Sequence, residues 1–260
     1  MDNRIGIIAM AFGIAAVMAV LMFILFNTTG GAEGEGFLNR FAVALGGNFA
    51  NGGYIQFFTF IAFFWGMTEI FSNLKRIKNQ QNAFLTSEQY NLLPVQENYV
   101  LSPNNVQQIK LQATQLEQQN LQKTNERSYL LQLVKKACTK FRATSSISES
   151  LEVVSTQCRI NLTNEESRQS VIRYLAWAIP SIGFIGTVLG ISQALLIADS
   201  GDTKLITATL GIAFDTTLVA LFLSLILMWF FHRLQERGEK LHSDLEEYVI
   251  ENLINRIDLN

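Results

Sequence analysis

Pro180-Ser-Ile-Gly183-Phe-Ile-Gly186-Thr187-Val-Leu-Gly190 and Ala213-Phe-Asp215-Thr216-Thr217-Leu-Val-Ala220 each lie inside a hydrophobic run long enough to cross a bilayer. Both carry small and hydroxylated residues where a lipid-facing helix would carry Leu or Phe. Gly183, Gly186, Thr187 and Gly190 fall at i, i+3, i+4 and i+7, one face of a helix, and a face of this kind lets a neighbouring backbone approach closely. Pro180 cannot hydrogen-bond the carbonyl of Ala176, so a bend is expected there. Thr209, Ala213, Thr216, Thr217, Ala220 and Ser224 make a second small, hydroxyl-bearing face. Packing alone explains an intramembrane Thr, whose hydroxyl can return to the i−4 carbonyl. Asp215 needs more: an acid at a helix centre costs about 2.5–3.5 kcal/mol even on the lenient insertion scale, which makes it a functional candidate. Its other reading is a structural Asp hydrogen-bonded against Ser192 or Gln193. At about 100° per residue, Asp215 and Thr217 lie roughly 200° apart, so they cannot face the same axis.

The remaining composition narrows the class. The chain has 260 residues, 49% hydrophobic and only 16% charged, with a formal net charge of −2. That balance fits an integral membrane protein and argues against a nucleic-acid partner, which would demand a basic excess. Cys138 and Cys158 lack metal-ligand spacing and read as reduced thiols, so no metal site is expected. His232 and His242 sit in the polar tail and read as solvated. No nucleophile–base pair is visible, so neither an enzyme nor a resident cofactor is expected.

Four apolar runs, residues 5–26, 54–71, 174–197 and 205–231, each approach the roughly 20 residues a span requires. The expected fold is therefore all-α, an integral membrane protein with four transmembrane helices and long cytoplasmic helical extensions. The first run is too long for a signal-peptide core and lacks an A-x-A site, so it reads as retained. Arg4, Lys75, Arg76, Lys78, Arg168, Arg173, Arg233, Arg237 and Lys240 fall on one side of four spans, leaving Arg40 and Lys204 on the other. Positive charge marks the cytoplasmic side, so both termini are expected there. The expected layout is residues 1–72 as spans 1 and 2 with an outer loop at 27–53, 73–171 as a cytoplasmic helical section, 172–231 as channel-forming spans 3 and 4, and 232–260 as a cytoplasmic C-terminal helix.

Within the outer loop, Phe37, Leu38, Phe41, Ala42 and Leu45 recur at helical spacing and suggest a short helix on the membrane surface. Pro94 and Pro103 suggest a compact loop with short helical turns over 79–105. The Gln- and Leu-rich stretch 106–142 reads as one long polar helix, and 147–160 as another. Thr163-Asn-Glu-Glu166 has the form of a capping box, from which a helix could run unbroken through residue 197. Leu241, Leu245, Val249 and Leu253 recur every four residues, so the last helix is expected to continue beyond its span.

Pro180, Gly183, Gly186, Thr187 and Gly190 fill every fixed position of a P-x-x-G-x-x-G-T-x-x-G pattern, and Thr217 is followed three residues later by Ala220 where the pattern has Gly. In these positions, within about residues 173–231, the chain resembles the MotA/TolQ/ExbB proton-channel family, and its four spans resemble the MotA layout. The resemblance implies the channel-forming stator subunit of an ion-driven 5:2 rotary motor in a bacterial inner membrane, converting ion motive force into mechanical work. It implies a homopentamer in the lipid bilayer around a dimer of a single-span subunit similar to MotB, TolR or ExbD. That partner's membrane Asp would carry the transported H+, with Na+ as the other candidate. Thr187, Thr217, Thr216 and Asp215 would belong to the ion path, while Pro180, Gly183, Gly186, Gly190, Ala213 and Ala220 pack the helices. TolQ and ExbB carry an acid in the last span a few residues before the motif Thr; Asp215 lies nearer to Thr217 than that. Residues 75–88 do not align with the charged rotor-engaging stretch of MotA, so a flagellar role does not follow. The competing reading is a membrane-anchored oligomeric scaffold or signalling protein without ion conduction, which would not need hydroxyls and an acid in its last two spans.

Overall fold

A computed structural model of the chain describes residues 2–31, 34, 36–49, 52–89, 92–94, 100–124 and 126–258. Helices dominate, and the one β-type pairing among the described residues is an isolated parallel bridge between Leu101 and Ile257. Four helical stretches, Gly6–Thr28, Gly53–Leu85, Ile147–Ser200 and Thr203–Arg256, are long and apolar enough to cross a membrane. The chain divides into two compact units, one of Met1–Ser72 with Gln169–Arg233 and one of Asn73–Arg168 with Leu234–Asn260.

In the first unit, α1 (Asp2–Thr28) is apolar on every side, the mark of a helix that water does not surround. Its last carbonyls are satisfied locally: Asn27 donates to Phe23 O at 2.8 Å and Thr29 to Leu25 O at 2.8 Å. The chain turns at Gly30 and Gly31, both at positive φ, where a Cβ would be strained. It then forms α2 (Phe37–Ala44) at the expected place. Asn39 on α2 reaches back to Gly31 O at 3.0 Å, closing this segment. Phe37, Leu38 and Phe41 stay exposed on α2 while Asn39 and Ala42 are buried, so its apolar face points away from the protein. This is the polarity expected of a helix lying on a membrane.

α3 (Gly53–Gln89) is far longer than its apolar run. The expected loop at 79–105 is thus corrected: nothing breaks the helix before Gln89, since the first proline comes only at position 94. The rest of that segment lies partly outside the described residues. Ala15 of α1, Phe60 of α3 and Val219 of the last long helix form a buried cluster. α7 (Ser170–Leu196) runs through Pro180 without ending there. After a 3-10 turn at Ala198–Ser200, Asp202 Oδ1 accepts the backbone N–H of Leu205 at 3.0 Å and caps α8 (Thr203–Asn252), a 50-residue helix.

The second unit holds the remainder of α3 and α8 with α4 (Pro103–Thr124), α5 (Tyr129–Thr144) and α6 (Ile147–Arg168). The single helix expected over 106–142 is two, because the chain turns back before Ser128 and packs α5 against α4. Lys135 of α5 bonds Glu117 of α4 across that hairpin. α6 starts at Ile147, where a second polar helix is expected, and runs on to Arg168. Ser145 takes a left-handed conformation, and the Glu149 N–H donates to Ser146 Oγ at 3.2 Å, so the Ser-x-x-Glu signature that starts this helix is Ser146–Glu149. Thr163 is interior to α6, and a single turn residue, Gln169, separates α6 from α7, so the helical stretch Ile147–Ser200 runs through residue 197 as expected but from an earlier start. Leu241, Leu245, Val249 and Leu253 are all buried, as their four-residue spacing requires of a core-facing stripe. Beyond α8 the chain crosses beside Leu101, which donates to Arg256 O at 2.7 Å and accepts from Asp258 N at 3.2 Å.

A polar group is buried within this unit. Arg76 of α3 donates to the Tyr129 hydroxyl at 2.7 Å and lies 3.3 Å from Glu165 Oε1. Tyr129 in turn donates to Glu165. The His242 ring stacks at a tilt on Tyr129, with centroids 5.3 Å apart. His242 is therefore a core residue and not the solvated tail histidine expected; its position in the apolar-spaced stretch of α8 turns it inward. Burial lowers its pKa, partly opposed by Glu165. Burial and the bond to Glu165 raise that of Tyr129. Burial likewise pushes the Cys138 and Cys158 thiols up to about 12, leaving them inert at neutral pH.

Candidate functional site

α7 and α8 meet along the two small-residue faces. A Cβ added at Gly183 would lie 2.5 Å from the Cβ of Ala220 and 3.1 Å from Thr216 O. One added at Gly190 would strike Ala213, and one at Gly186 would stand 2.5 Å from Thr216 Oγ1. Seven residues up α7, from Gly183 to Gly190, thus match seven residues down α8, from Ala220 to Ala213. The pair is antiparallel and in continuous register. The helices touch at backbone distance because one partner in each contact lacks a side chain. Ala220, where the family pattern has Gly, is accommodated because its methyl faces Gly183.

Three hydroxyls gather on this seam. Thr217 donates to Gly183 O at 2.9 Å, and Thr216 Oγ1 lies 2.7 Å from Ala213 O and 3.2 Å from Gly183 O. Thr187 Oγ1 sits 3.1 Å from Ala213 O and contacts the Thr217 hydroxyl directly. The structure therefore brings together Thr187 and Thr217, which lie thirty residues apart in sequence. Their exposure differs from that of Thr216: Thr216 is enclosed, while Thr187 and Thr217 are half-buried at the edge of the pair. Arg76, Tyr129 and the other buried polar groups of the second unit belong to its own interior.

Asp215 lies off the seam, and neither Ser192 nor Gln193 is its partner; both stay on the exposed surface of α7. It is held by Arg40 of α2, whose guanidinium reaches both carboxylate oxygens, Nη2 to Oδ1 at 2.8 Å and Nη1 to Oδ2. The carboxylate is 8% exposed and the Arg40 side chain 58%. Arg40, with Asn39, Gln193, Lys204 and Thr209, lines an open cavity of about 1270 Å³ between the outer segment and the facing ends of α7 and α8. Sequence reasoning counted Arg40 only as a loop charge. The missed signal was that an acid inside a span requires a cation, and Arg40 on its short amphipathic helix is one of two basic residues on that side.

No group of His, Cys, Asp and Glu capable of holding a metal ion occurs among the described residues. The site is built of hydroxyls, backbone carbonyls and one paired acid. A family model described as the MotA/TolQ/ExbB proton channel family matches residues 114–247, just over half of the chain and all of the α7–α8 seam. No curated protein and no solved structure matches the chain.

Proposed function

Because the chain belongs to the MotA/TolQ/ExbB proton channel family, a channel family and not one of enzymes, we propose that this multi-pass membrane protein is the channel-forming stator subunit of an ion-driven 5:2 motor. Five copies surround a dimer of a single-span partner in a bacterial inner membrane, with both termini cytoplasmic. The ion is H+, with Na+ as the other candidate, and it travels on the partner's membrane Asp. The observation that carries this reading is the contact between the Thr187 and Thr217 hydroxyls on the half-exposed edge of α7 and α8.

A hydroxyl is both donor and acceptor. Thr187 and Thr217 each have one hydroxyl proton, held by a backbone carbonyl or by the other hydroxyl: as placed they can accept from a partner's protonated acid, and a turn of the hydroxyl away from its carbonyl lets it donate to the carboxylate. The carbonyls of Gly183 and Ala213 already engage these hydroxyls and hold their oxygens in place. Gly183, Gly186, Gly190, Ala213 and Ala220 keep lipid out of the seam, and the enclosed Thr216 shares that packing role. Protonation of the partner's Asp would change its contacts with successive copies and advance the ring stepwise.

The test is ion flux into liposomes holding the complex purified from its native membrane through a tag on this chain. Thr187→Ala and Thr217→Val should each leave assembly intact and lower flux at least about tenfold, the loss of roughly 1.4 kcal/mol of stabilisation along the path. Full flux in both variants would remove these residues from the ion path. Imposing a pH or a Na+ gradient separately identifies the ion.

A further inference from the structure

We infer that Arg40 is a positioning residue: its pairing with Asp215 fixes the rotational setting of α8, and with it the placement of Thr217 against Thr187. The inference rests on the channel reading for its consequence, though not for its geometry.

α8 is gripped on opposite sides. At about 100° per residue, Thr216, Ala220, Ala213 and Thr217 cluster within an arc of roughly 100°, and Asp215 lies on the far side of the helix from the centre of that arc. The arc meets α7. The far side meets α2 through two parallel guanidinium–carboxylate hydrogen bonds. A bidentate pair is directional as well as attractive, so it resists rotation about the helix axis where an apolar contact would slip. The seam holds the other side, where Thr216 and Thr217 bond Gly183 O and Thr187 bonds Ala213 O, so the ion pair is a second fixed point across the helix axis.

The same geometry separates Asp215 from ion carriage. Both carboxylate oxygens already accept from Arg40, and the residue is buried away from the Thr187–Thr217 edge. Arg40 is anchored in turn, since its neighbour Asn39 ties α2 to Gly31 and Thr29. The outer segment thus acts on the seam through one ion pair whose members are 175 residues apart. Removing either partner strands the other's charge, whereas removing both leaves a neutral contact.

The test uses Arg40→Gln, Asp215→Asn, the double variant R40Q/D215N and the charge exchange R40D/D215R, each in the full chain purified with its partners. Flux per assembled complex should fall about tenfold in both single variants and in R40Q/D215N, which lacks the directional pair, and return to within about threefold of the parent in R40D/D215R, the signature of two coupled residues. The setting of α8 is read independently, by the yield of oxidative cross-linking between cysteines introduced as T187C and T217C. That yield should fall in each single variant and in R40Q/D215N and recover in the charge exchange, an effect that mere loss of folded protein would not produce. If R40D/D215R remains as inactive as Asp215→Asn, with cross-linking unchanged in every variant, the positioning role is overturned and Asp215 acts on its own. If Thr187→Ala and Thr217→Val conduct normally, the channel reading fails, but the cross-linking pattern still decides the role of Arg40.

Discussion

Gly183 faces Ala220 with no space for a further methyl group between them. The antiparallel register of α7 and α8 depends on that absence. Gly183→Ala should force the helices apart and destabilise the protein by about 1–3 kcal/mol, the usual cost of overpacking. Ala220→Gly should be tolerated, and G183A/A220G should recover most of the loss. Thermal midpoints of the detergent-solubilised protein give the ranking. A Gly183→Ala variant as stable as the parent would mean the contact is not this close.

Thr216 and Thr217 are adjacent in sequence but differ in exposure, and their isosteric replacement by Val should separate two effects. Thr216→Val buries no new volume but removes bonds to Ala213 O and Gly183 O, so it should lower stability by about 0.5–1.5 kcal/mol and leave flux per complex unchanged. Thr217→Val also removes a bond to Gly183 O, so it should cost a comparable amount of stability and in addition lower flux. Flux and thermal stability measured on the same preparations distinguish them, and an equal loss of flux in both would place Thr216 on the path.

The hydroxyl of Tyr129 joins Arg76 to Glu165 inside the second unit. Tyr129→Phe removes only the hydroxyl and should cost about 1–3 kcal/mol. Glu165→Leu leaves the Arg76 guanidinium with the more distant Glu126, 3.8 Å away, and should cost more, up to about 3–5 kcal/mol. Denaturant midpoints should follow that order; Tyr129→Phe proving the worse of the two would show that the Arg76–Glu165 pair is not what the unit depends on.

His242 introduces a pH dependence whose sign follows from its burial. Its folded pKa is lowered, while the unfolded chain takes up the proton near pH 6.5. Below that value the unfolded state binds more protons than the folded one, so the contribution of His242 is complete above about pH 6.5 and is lost as pH falls toward the folded pKa. The thermal midpoint should therefore drop between about pH 7 and pH 5, and His242→Phe, which keeps a ring against Tyr129, should flatten the drop. An unchanged slope in that variant would assign the acid sensitivity to other groups.

Features written in local spacing were legible before any coordinates. The apolar runs mark four spans because every backbone group in lipid must be satisfied within its own helix, and the i, i+3, i+4, i+7 pattern of Gly183, Gly186, Thr187 and Gly190 marks a contact face because helical geometry is fixed. Leu241, Leu245, Val249 and Leu253 announced a core stripe for the same reason. Local signals misled where two segments carried the same one: Thr163–Glu166 and Ser146–Glu149 both fit a capping box, and only the left-handed turn at Ser145 made the second a helix start.

The ion pairs were decided in three dimensions. Arg40 and Asp215, or Arg76, Tyr129, Glu165 and His242, share no spacing that a helix or turn would impose. A buried charge must find its counter-charge, but which one it finds depends on where the chain's turns bring distant helices together. Periodicity named the faces of α7 and α8; the fold alone supplied the guanidinium that holds Asp215 on the opposite side from Thr217.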